Sequence, residues 1–303
     1  MAGKEIIVVF GATGAQGNSV ACALLEDCTF AVRAVTRDPS KPAAAKLKQA
    51  GAEVVAGDLD NEKSLEAALK GAHGAFLVTN TSGQHADHNK EVTQGKLVAD
   101  LAKRLGLKHI VYSGLENVKK LTGGKLGAHH FDVKGEVEEY FRHIGCHMTS
   151  VRLSFYYENF LGDYKPQKCE DGKCYALNLP MGDVPLDGIS VKDLGPCVVS
   201  ILKHPSHYGG KNIGLSAEKL TVAQYAHIMS EVTGKTIKDA KIHHDDFEKR
   251  MAHGAKHMAD MFRFYMTRPE RDVEVTHKLN PKVKAFRPWL EENKAAFCKE
   301  CKE

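Results

Sequence analysis

Residues Gly11-Ala-Thr-Gly14-Ala-Gln-Gly17 follow the apolar run Ile6-Ile-Val-Val-Phe10 and precede a helical pattern. Three glycines at this spacing, after a strand and at the start of a helix, are typical of a dinucleotide-binding turn. The first glycine permits the tight turn, the second lets the backbone approach a pyrophosphate, and the third lets helix and strand pack closely. Exposed N–H groups and the helix dipole then hold the phosphates. A purely structural glycine turn is the alternative interpretation.

The rest of the first half alternates short β-rich runs with helical patterns. Strands are predicted at residues 6–10, 30–36, 53–56, 75–78, 109–112 and 148–152, and helices at 14–25, 43–49, 62–70, 91–104 and 134–143. This alternation, with strands that are apolar in runs, indicates a parallel sheet with helices on both faces. We therefore predict an α/β fold, a doubly wound parallel-sheet Rossmann fold with a smaller C-terminal lobe.

The alternation loosens after Arg152. We predict a Rossmann domain over residues 1–153, with a returning segment near 184–204, and a smaller, mostly helical lobe over 154–303. An Asp-Gly pair predicts a hairpin between Cys169 and Cys174. Helix-capping boxes are predicted at Ser190-Val-Lys-Asp193 and Thr221-Val-Ala-Gln224.

The composition excludes several classes of protein. Of the 303 residues, 43% are hydrophobic and 26% are charged, and the net charge is only +4. Such a chain is not disordered, and its interleaved charges give no basic face for nucleic acid. No apolar run is long enough to span a membrane, and no signal peptide is recognisable. We expect a location in the cytoplasm and leave the nucleus open.

The cysteines give no clear evidence of a disulfide framework or a metal site. Eight of them are scattered along a chain that is long enough to fold without staples. Cys298-Lys-Glu-Cys301 is a single CxxC motif, and Cys169 lies five residues before Cys174, whereas zinc sites usually show two tight knuckles. His253 and His257 lie one helical turn apart without a third ligand. We predict free thiols and no metal.

The end of the second predicted strand indicates which dinucleotide fits. An NAD site places an acid about 20 residues after the glycines, where it holds the ribose 2′-hydroxyl. Here the chain has Arg37-Asp-Pro-Ser-Lys41, and a guanidinium matches a phosphate through two parallel hydrogen bonds. Arg37 and Lys41 favour the 2′-phosphate of NADP, with NADPH preferred over NADH, although Asp38 is a contrary signal. Asp58 either accepts from the adenine amino group or serves as a turn residue.

A second motif bears on whether the cofactor is used in catalysis. The glycine spacing resembles the short-chain dehydrogenase/reductase superfamily, which implies a Ser after the fifth strand and a Tyr-x-x-x-Lys motif on the next helix. Ser113 and Lys134 match, but His130 stands four residues before Lys134, where the Tyr would be. Histidine has a shorter reach, so the hydride geometry would be lost unless the site were rebuilt. We therefore expect no ordinary reductase turnover and assign no catalytic residue.

Further stretches form one recognisable set: Val9 to Gly17, Val35-Thr-Arg-Asp-Pro39, Gly95-Lys96, Tyr112-Ser-Gly-Leu-Glu-Asn117, residues 130–141, and Arg152-Leu-Ser-Phe-Tyr-Tyr-Glu-Asn159. Together they resemble the NmrA-like family, an atypical branch of that superfamily. The resemblance covers nearly the whole chain and is closest to the vertebrate members, which are described as NADPH sensors. It implies a Rossmann domain that binds NADP and acts in regulation.

The resemblance also implies which residues contact the cofactor. Phosphate contacts would come from Gly11, Ala12, Thr13, Gly14, Ala15 and Gln16, and adenosine-phosphate contacts from Arg37, Asp38, Pro39, Ser40 and Lys41. Adenine contacts fall on Asp58 and Leu59, mid-cofactor contacts on Thr79, Asn80 and Thr81, and the ribose contact on Lys134. A family lysine contact falls on Thr93. Tyr156, Tyr157, Glu158 and Asn159 would close the nicotinamide end, or else form only a structural junction.

An NADP site beside an incomplete catalytic set leads to two hypotheses. The first is an NADPH-binding redox sensor whose loops, near Arg37 and Thr81, are ordered by the cofactor. A regulatory or metabolic protein partner, or a second copy in an NADPH-dependent homodimer, then reads the changed surface. The alternative is an NADPH-dependent oxidoreductase that uses Lys134 or His130 for proton transfer. Neither involves direct binding to nucleic acid or a membrane.

Overall fold

A computed structural model describes residues 3–79, 87–250 and 255–300. Its strands are β1 (Ile6–Val9), β2 (Ala31–Thr36), β3 (Glu53–Ala56), β4 (Gly74–Leu77), β5 (His109–Ser113), β6 (Met148–Leu153), β7 (Phe155–Tyr156), β8 (Gln167–Lys168), β9 (Tyr175–Leu177), β10 (Leu186–Ile189), β11 (Asn212–Leu215), β12 (Glu218–Leu220) and β13 (Ile237–Asp239).

The α-helices are α1 (Ala15–Asp27), α2 (Pro42–Gln49), α3 (Glu62–Leu69), α4 (His88–Arg104), α5 (Val118–Leu121), α6 (His129–His143), α7 (Leu194–Lys203), α8 (Pro205–Tyr208), α9 (Val222–Thr233), α10 (His244–Arg250), α11 (Ala255–Met266), α12 (Val273–Leu279) and α13 (Phe286–Glu300). Two 3₁₀ helices lie at Tyr157–Leu161 and Val191–Asp193. Within the described ranges, no helix is long and apolar enough to cross a bilayer.

The first six strands of the chain and β11 form a seven-stranded sheet in the order β11-β6-β5-β4-β1-β2-β3. The pairs from β6 through to β3 are all parallel, and Val9 lies opposite Ala34 of β2 and Phe76 of β4. The predicted doubly wound parallel sheet is confirmed. Successive strands run outward on one side of β1 and then continue on the other, so the strand order reverses between β1 and β4. Ligands of open α/β sheets bind at such a reversal, beyond the carboxyl ends of the strands.

Local sequence accounts for most of these elements. Every residue of β4 and β5 is buried, as expected for strands covered on both faces. The side chain of Asn61 accepts the N–H of Ser64 and caps α3, as the sequence predicts for residue 61. The helix predicted at 134–143 begins at His129, so His130 and Lys134 lie on one helix, α6.

The described chain divides into two compact units. The first comprises residues 1–117, 129–152 and 192–213, and the second comprises 118–128, 153–191 and 214–303. Compared with the predicted division, residues 118–128 lie in the second unit, and the returning segment is 192–213 instead of 184–204. Within the first unit, Ser19 of α1 binds the returning segment: its hydroxyl accepts the N–H of Gly195 at 2.9 Å and donates to the carbonyl of Lys192 at 2.8 Å.

The second unit contains two three-stranded sheets, in the orders β12-β10-β7 and β13-β9-β8. Its core includes an aromatic cluster in which the Phe286 ring lies 5.1 Å from that of Tyr157 and 4.7 Å from that of Tyr225. The capping box of Thr221 and Gln224 is confirmed. After Ser190, α7 begins only at Leu194, with Asp193 at its N-cap and no side-chain capping hydrogen bond, and the Ser190 hydroxyl donates to Glu158 Oε1 at 2.5 Å.

The predicted hairpin is confirmed, since β8 and β9 pair antiparallel. The prediction of free thiols is wrong for Cys169 and Cys174, which form a disulfide. The hairpin itself is the reason: it holds the two Cα atoms 5.4 Å apart, within the usual range for a disulfide. The remaining described cysteines are free at positions 22, 28, 146, 197 and 298. Cys301 and His253 lie outside the described residues.

Candidate functional site

The turn between β1 and α1 presents backbone N–H groups at the carboxyl edge of the sheet. Gly11 has φ +60°, which favours glycine, and its carbonyl accepts the N–H of Gly14 at 2.8 Å. α1 then begins at Ala15 with no side-chain cap and no acidic residue in its first turn. The uncapped N–H groups and the positive end of the helix dipole are suited to an anion such as a pyrophosphate.

Gly17 sets how closely α1 approaches this turn. A Cβ atom there would lie 2.1 Å from the Gly11 carbonyl oxygen and 2.8 Å from that of Phe10, so only glycine fits. Gly11, Gly14 and Ala15 are exposed, while Ala12 is buried with its N–H bonded to the Val35 carbonyl at 3.2 Å. Thr13 and Gln16 are half-buried. The result is a tight, open cradle of backbone amides that fits the phosphates of a dinucleotide.

The second strand ends beside this cradle. Thr36 Oγ1 lies 3.5 Å from Thr13 Oγ1 of the phosphate turn. Arg37 follows Thr36 in the chain and therefore lies near that turn. Arg37 is exposed, and no hydrogen bond ties its guanidinium to another described residue. Lys41, the N-cap residue of α2, is exposed as well. Both cations can therefore reach an anion placed at the end of β2.

Asp38, the contrary signal for NADP, is engaged by its own loop. Its Oδ1 accepts the Ser40 hydroxyl at 2.5 Å and the Ser40 N–H at 3.0 Å. These hydrogen bonds, the hydroxyl first, lower the pKa of Asp38 below its ordinary value. That oxygen is thus already occupied and is poorly placed to accept a ribose 2′-hydroxyl. Pro39 is exposed between the two residues.

The third strand ends at the same edge, because the Gly57 N–H donates to the Thr36 carbonyl at 3.0 Å. Asp58 Oδ1 accepts the N–H of Asp60 at 3.0 Å, so Asp58 serves the turn, as its second interpretation proposes. Leu59 packs against the core with part of its surface exposed. The sheet therefore brings residues 11–16, 37–41 and 58–59 to one edge.

Lys134 lies in a buried hydrogen-bond network and not at the surface. Its Nζ donates to the Thr79 carbonyl at 2.9 Å, to Thr79 Oγ1 at 3.0 Å and to Glu91 Oε1 at 3.0 Å. These acceptors match the three N–H donors of an ammonium group. The Thr79 hydroxyl also donates to Glu91 at 2.6 Å and lies 3.2 Å from the Tyr112 hydroxyl. The Lys134 side chain is 8% exposed and that of Glu91 4%.

The environment of this network shifts two pKa values. Burial lowers the pKa of Lys134, and the charge of Glu91 acts in the opposite direction. Burial raises the pKa of Tyr112 well above its ordinary value. A lowered pKa is the direction of shift that acid–base use of a lysine requires.

Sequence reasoning missed Glu91, which was interpreted only as part of a helical segment. Buried positions of α4 include 91, 95, 98 and 102, so an acid stands on the apolar stripe of this helix. That position was the available signal for a buried ion pair. Gly95 explains how the partners meet: a Cβ there would lie 2.5 Å from Val137 of α6, so glycine lets α4 and α6 approach closely.

Two groups of predicted residues remain in the first unit: those compared with the Ser and Tyr of a reductase, and the other predicted cofactor contacts. His130 is half-buried, and its ring meets Phe131 edge-on with centroids 5.0 Å apart. Ser113 is buried at the end of β5. Thr93 is exposed on α4 and donates its hydroxyl to the Asn89 carbonyl at 2.7 Å. Asn80 and Thr81 lie outside the described residues.

The residues predicted to close the nicotinamide end lie in the second unit. Tyr156 is half-buried in β7, and Tyr157 is fully buried in the aromatic cluster. Glu158 accepts the Ser190 hydroxyl and also the indole N–H of Trp289 at 3.3 Å. The Asn159 carbonyl accepts N–H groups just beyond its 3₁₀ helix. These contacts of Tyr157 and Glu158 thus lie within the second unit.

Comparisons with known proteins show similarity to the NmrA-like family. The sequence model of the NmrA-like family matches residues 3–289. The NmrA-like family domain-containing oxidoreductase FrzB of Cladobotryum sp is 34% identical over 251 residues, or 76% of this chain and 74% of FrzB. NmrA-like family domain-containing protein 1 of Rattus norvegicus is 29% identical over 293 residues, or 97% of this chain and 98% of the rat protein.

One similar solved structure is that of NmrA, described as a negative transcriptional regulator, in complex with NADP. It matches with a TM-score of 0.78 and 22% identity, covering 95% of each chain. At that identity, the likeness shows the fold alone.

Proposed function

The chain belongs to the NmrA-like family, and from that membership we propose that it is an NADPH-binding redox sensor that regulates protein partners. One observation carries the proposal. An open phosphate cradle stands beside Arg37, while the Nζ of Lys134 is directed into a buried network. Such a chain can hold the cofactor without presenting the Tyr and Lys pair of an ordinary reductase.

Each part of the cofactor has a chemically suitable group. The turn of residues 11–16 suits the pyrophosphate through N–H groups other than those of Ala12 and Gly14, which donate to backbone carbonyls, and Arg37 with Lys41 suits the 2′-phosphate. The adenine would lie beside Asp58 and Leu59. The NADP complex of NmrA supports a nicotinamide dinucleotide, and the exposed cations Arg37 and Lys41 support NADPH over NADH. When bound, NADPH supplies a hydride donor, which a sensor recognises and does not consume.

Sensing requires that the bound and free forms differ in their affinity for a partner. The exposed loop of residues 37–41 carries cations whose charge the 2′-phosphate would neutralise. NADPH would thereby change both the conformation and the charge of this surface, and a regulatory partner or a second copy would bind one form better. The association state is therefore the expected readout.

Replacing Arg37 by alanine tests the choice of cofactor. We expect the Kd for NADPH to rise about 10- to 100-fold, because a charged hydrogen-bonded pair with the 2′-phosphate is lost. The Kd for NADH should change by no more than about twofold, because NADH lacks that phosphate. Fluorescence titrations of both cofactors measure the two constants.

Arg104→Ala is the matched control, since Arg104 is an exposed cation at the end of α4, away from the carboxyl edge of the sheet. It should leave both constants unchanged. Equal losses for NADPH and NADH in Arg37→Ala would contradict the assignment of Arg37 to the 2′-phosphate.

A second candidate function is an NADPH-dependent oxidoreductase. It is favoured by the lowered pKa of Lys134 and by the name of the relative FrzB. NADPH oxidation with a panel of quinone acceptors separates the candidates. Turnover in the unmodified protein that disappears in Lys134→Met/Glu91→Gln, with NADPH still bound, would establish the oxidoreductase and remove the sensor. Absence of turnover at saturating NADPH is the result the sensor predicts.

A further inference from the structure

The β8–β9 hairpin of the second unit carries a disulfide at its tip. Cys169 and Cys174 close a loop whose residues 170–173 are all exposed, and the two cysteines themselves are half-exposed. Thiol–disulfide exchange requires that a thiolate reach one of the sulfurs. This exposure gives a small thiol an approach to the bond.

The loop is held in shape by contacts other than the sulfur link. The Cys169 N–H donates to the Cys174 carbonyl at 2.8 Å, and the Gly172 N–H donates to the Cys169 carbonyl at 2.9 Å. Asp171 Oδ1 accepts the N–H of Lys173 at 2.9 Å. Reduction would therefore leave the two thiols close together, and closure of so short a loop favours re-formation of the disulfide.

The disulfide is not a major staple of the second unit. It joins residues only five apart, and short loops give the smallest restriction of the unfolded chain. β9 is also anchored on its other side by parallel pairing with β13, with Tyr175 opposite Ile237. The unit is thus expected to stay folded when the bond opens.

Other cysteines of the described chain lack these features. Burial raises the pKa of Cys197 to about 12 and that of Cys146 to about 11, so both remain protonated thiols. Cys22 is exposed, but it is not joined to another cysteine. Only the hairpin combines two sulfurs, exposure and a fixed loop among the described residues.

We propose that Cys169 and Cys174 form a reversible two-electron exchange site for low-molecular-weight thiols. A thiolate attacks one sulfur, the S–S bond breaks, and the other cysteine leaves as a thiolate that takes up a proton. A second thiol attacks the mixed disulfide and releases the first cysteine. Two small thiols are thereby oxidised to one disulfide, and the cystine is reduced to two thiols. This site reports thiol redox state without involving the bound nicotinamide.

Glutathione is the probe for the test. The full chain is equilibrated over a series of reduced-to-oxidised glutathione ratios, alkylated and digested with trypsin. A chelator is present because ligand atoms of Cys169, Asp171 and Cys174 lie within 4.8 Å of one another and could capture a metal ion once reduced. Trypsin cuts after Lys168 and Lys173, so peptides 169–173 and 174–192 stay linked only while the disulfide is intact.

We expect the linked peptides to convert to separate ones in a single two-electron transition, across about a hundredfold change in [GSH]²/[GSSG]. The far-UV circular dichroism should not change. Cys174→Ser should instead carry one glutathione on Cys169 in oxidising buffer, and Cys22→Ser, the control, should leave the transition unchanged. The proposal is overturned if the linked peptides persist throughout, if they never form, or if reduction unfolds the protein.

Discussion

Gly17→Ala is expected to weaken NADPH binding by about 10- to 100-fold. The added Cβ would lie 2.1 Å from the Gly11 carbonyl oxygen and 2.4 Å from its carbonyl carbon. Because these are backbone atoms, the clash is relieved only by moving the phosphate turn or the start of α1, which misaligns the N–H groups. Overpacking of this kind costs about 1–3 kcal/mol or more, and each 1.4 kcal/mol is a factor of ten in Kd.

Gly127→Ala is the control, since a Cβ there meets nothing within 4 Å and Gly127 belongs to the second unit. Both variants are titrated with NADPH after circular dichroism has shown that they are folded. Gly17→Ala that folds and binds NADPH as tightly as the Gly127 variant would contradict the assignment of the cradle to the pyrophosphate.

Lys134→Met is expected to lower the free energy of unfolding by about 3–5 kcal/mol. The substitution leaves the Glu91 carboxylate buried without its cation, and an uncompensated buried charge is strongly destabilising. It also removes the donor to the Thr79 carbonyl. Urea denaturation, followed by circular dichroism, measures the loss.

Two further variants make this prediction specific. Lys134→Met/Glu91→Gln should recover much of the lost stability, because no buried charge then remains unpaired. Lys90 lies near the start of α4, the helix that contains Glu91. Lys90→Met removes its exposed ion pair with Asp60 and should change stability little. If Lys134→Met costs no more than Lys90→Met, Lys134 and Glu91 do not form a buried ion pair.

The central sheet and the phosphate turn were predictable because their signals are local. Apolar runs of strand length alternate with helical patterns, and the glycines of 11–17 stand between the first strand and the first helix. The capping box at Thr221 was predicted correctly for the same reason. After Ser190, by contrast, the α-helix begins only at Leu194, and the Ser190 hydroxyl donates to Glu158, 32 residues earlier in the chain. A contact between residues so distant in sequence cannot be predicted from a local pattern.

The pairing of Lys134 with Glu91 could not be derived from spacing, since the two lie 43 residues apart. Their contact depends on how closely α4 packs on α6, which Gly95 permits. The disulfide was closer to prediction. The hairpin was predicted. Antiparallel pairing of its two strands brings Cys169 and Cys174 close enough to form the disulfide.

We propose that NADPH binding changes the association of the protein with a second copy of itself. Sedimentation velocity of the full chain, recorded at both the protein band and the reduced-nicotinamide band, tests it in one run. We expect NADPH to sediment with the protein and to shift its sedimentation coefficient relative to the cofactor-free sample, whereas NADH at the same concentration should do neither. NADPH that sediments with the protein while the protein distribution stays unchanged would contradict an NADPH-dependent association of two copies.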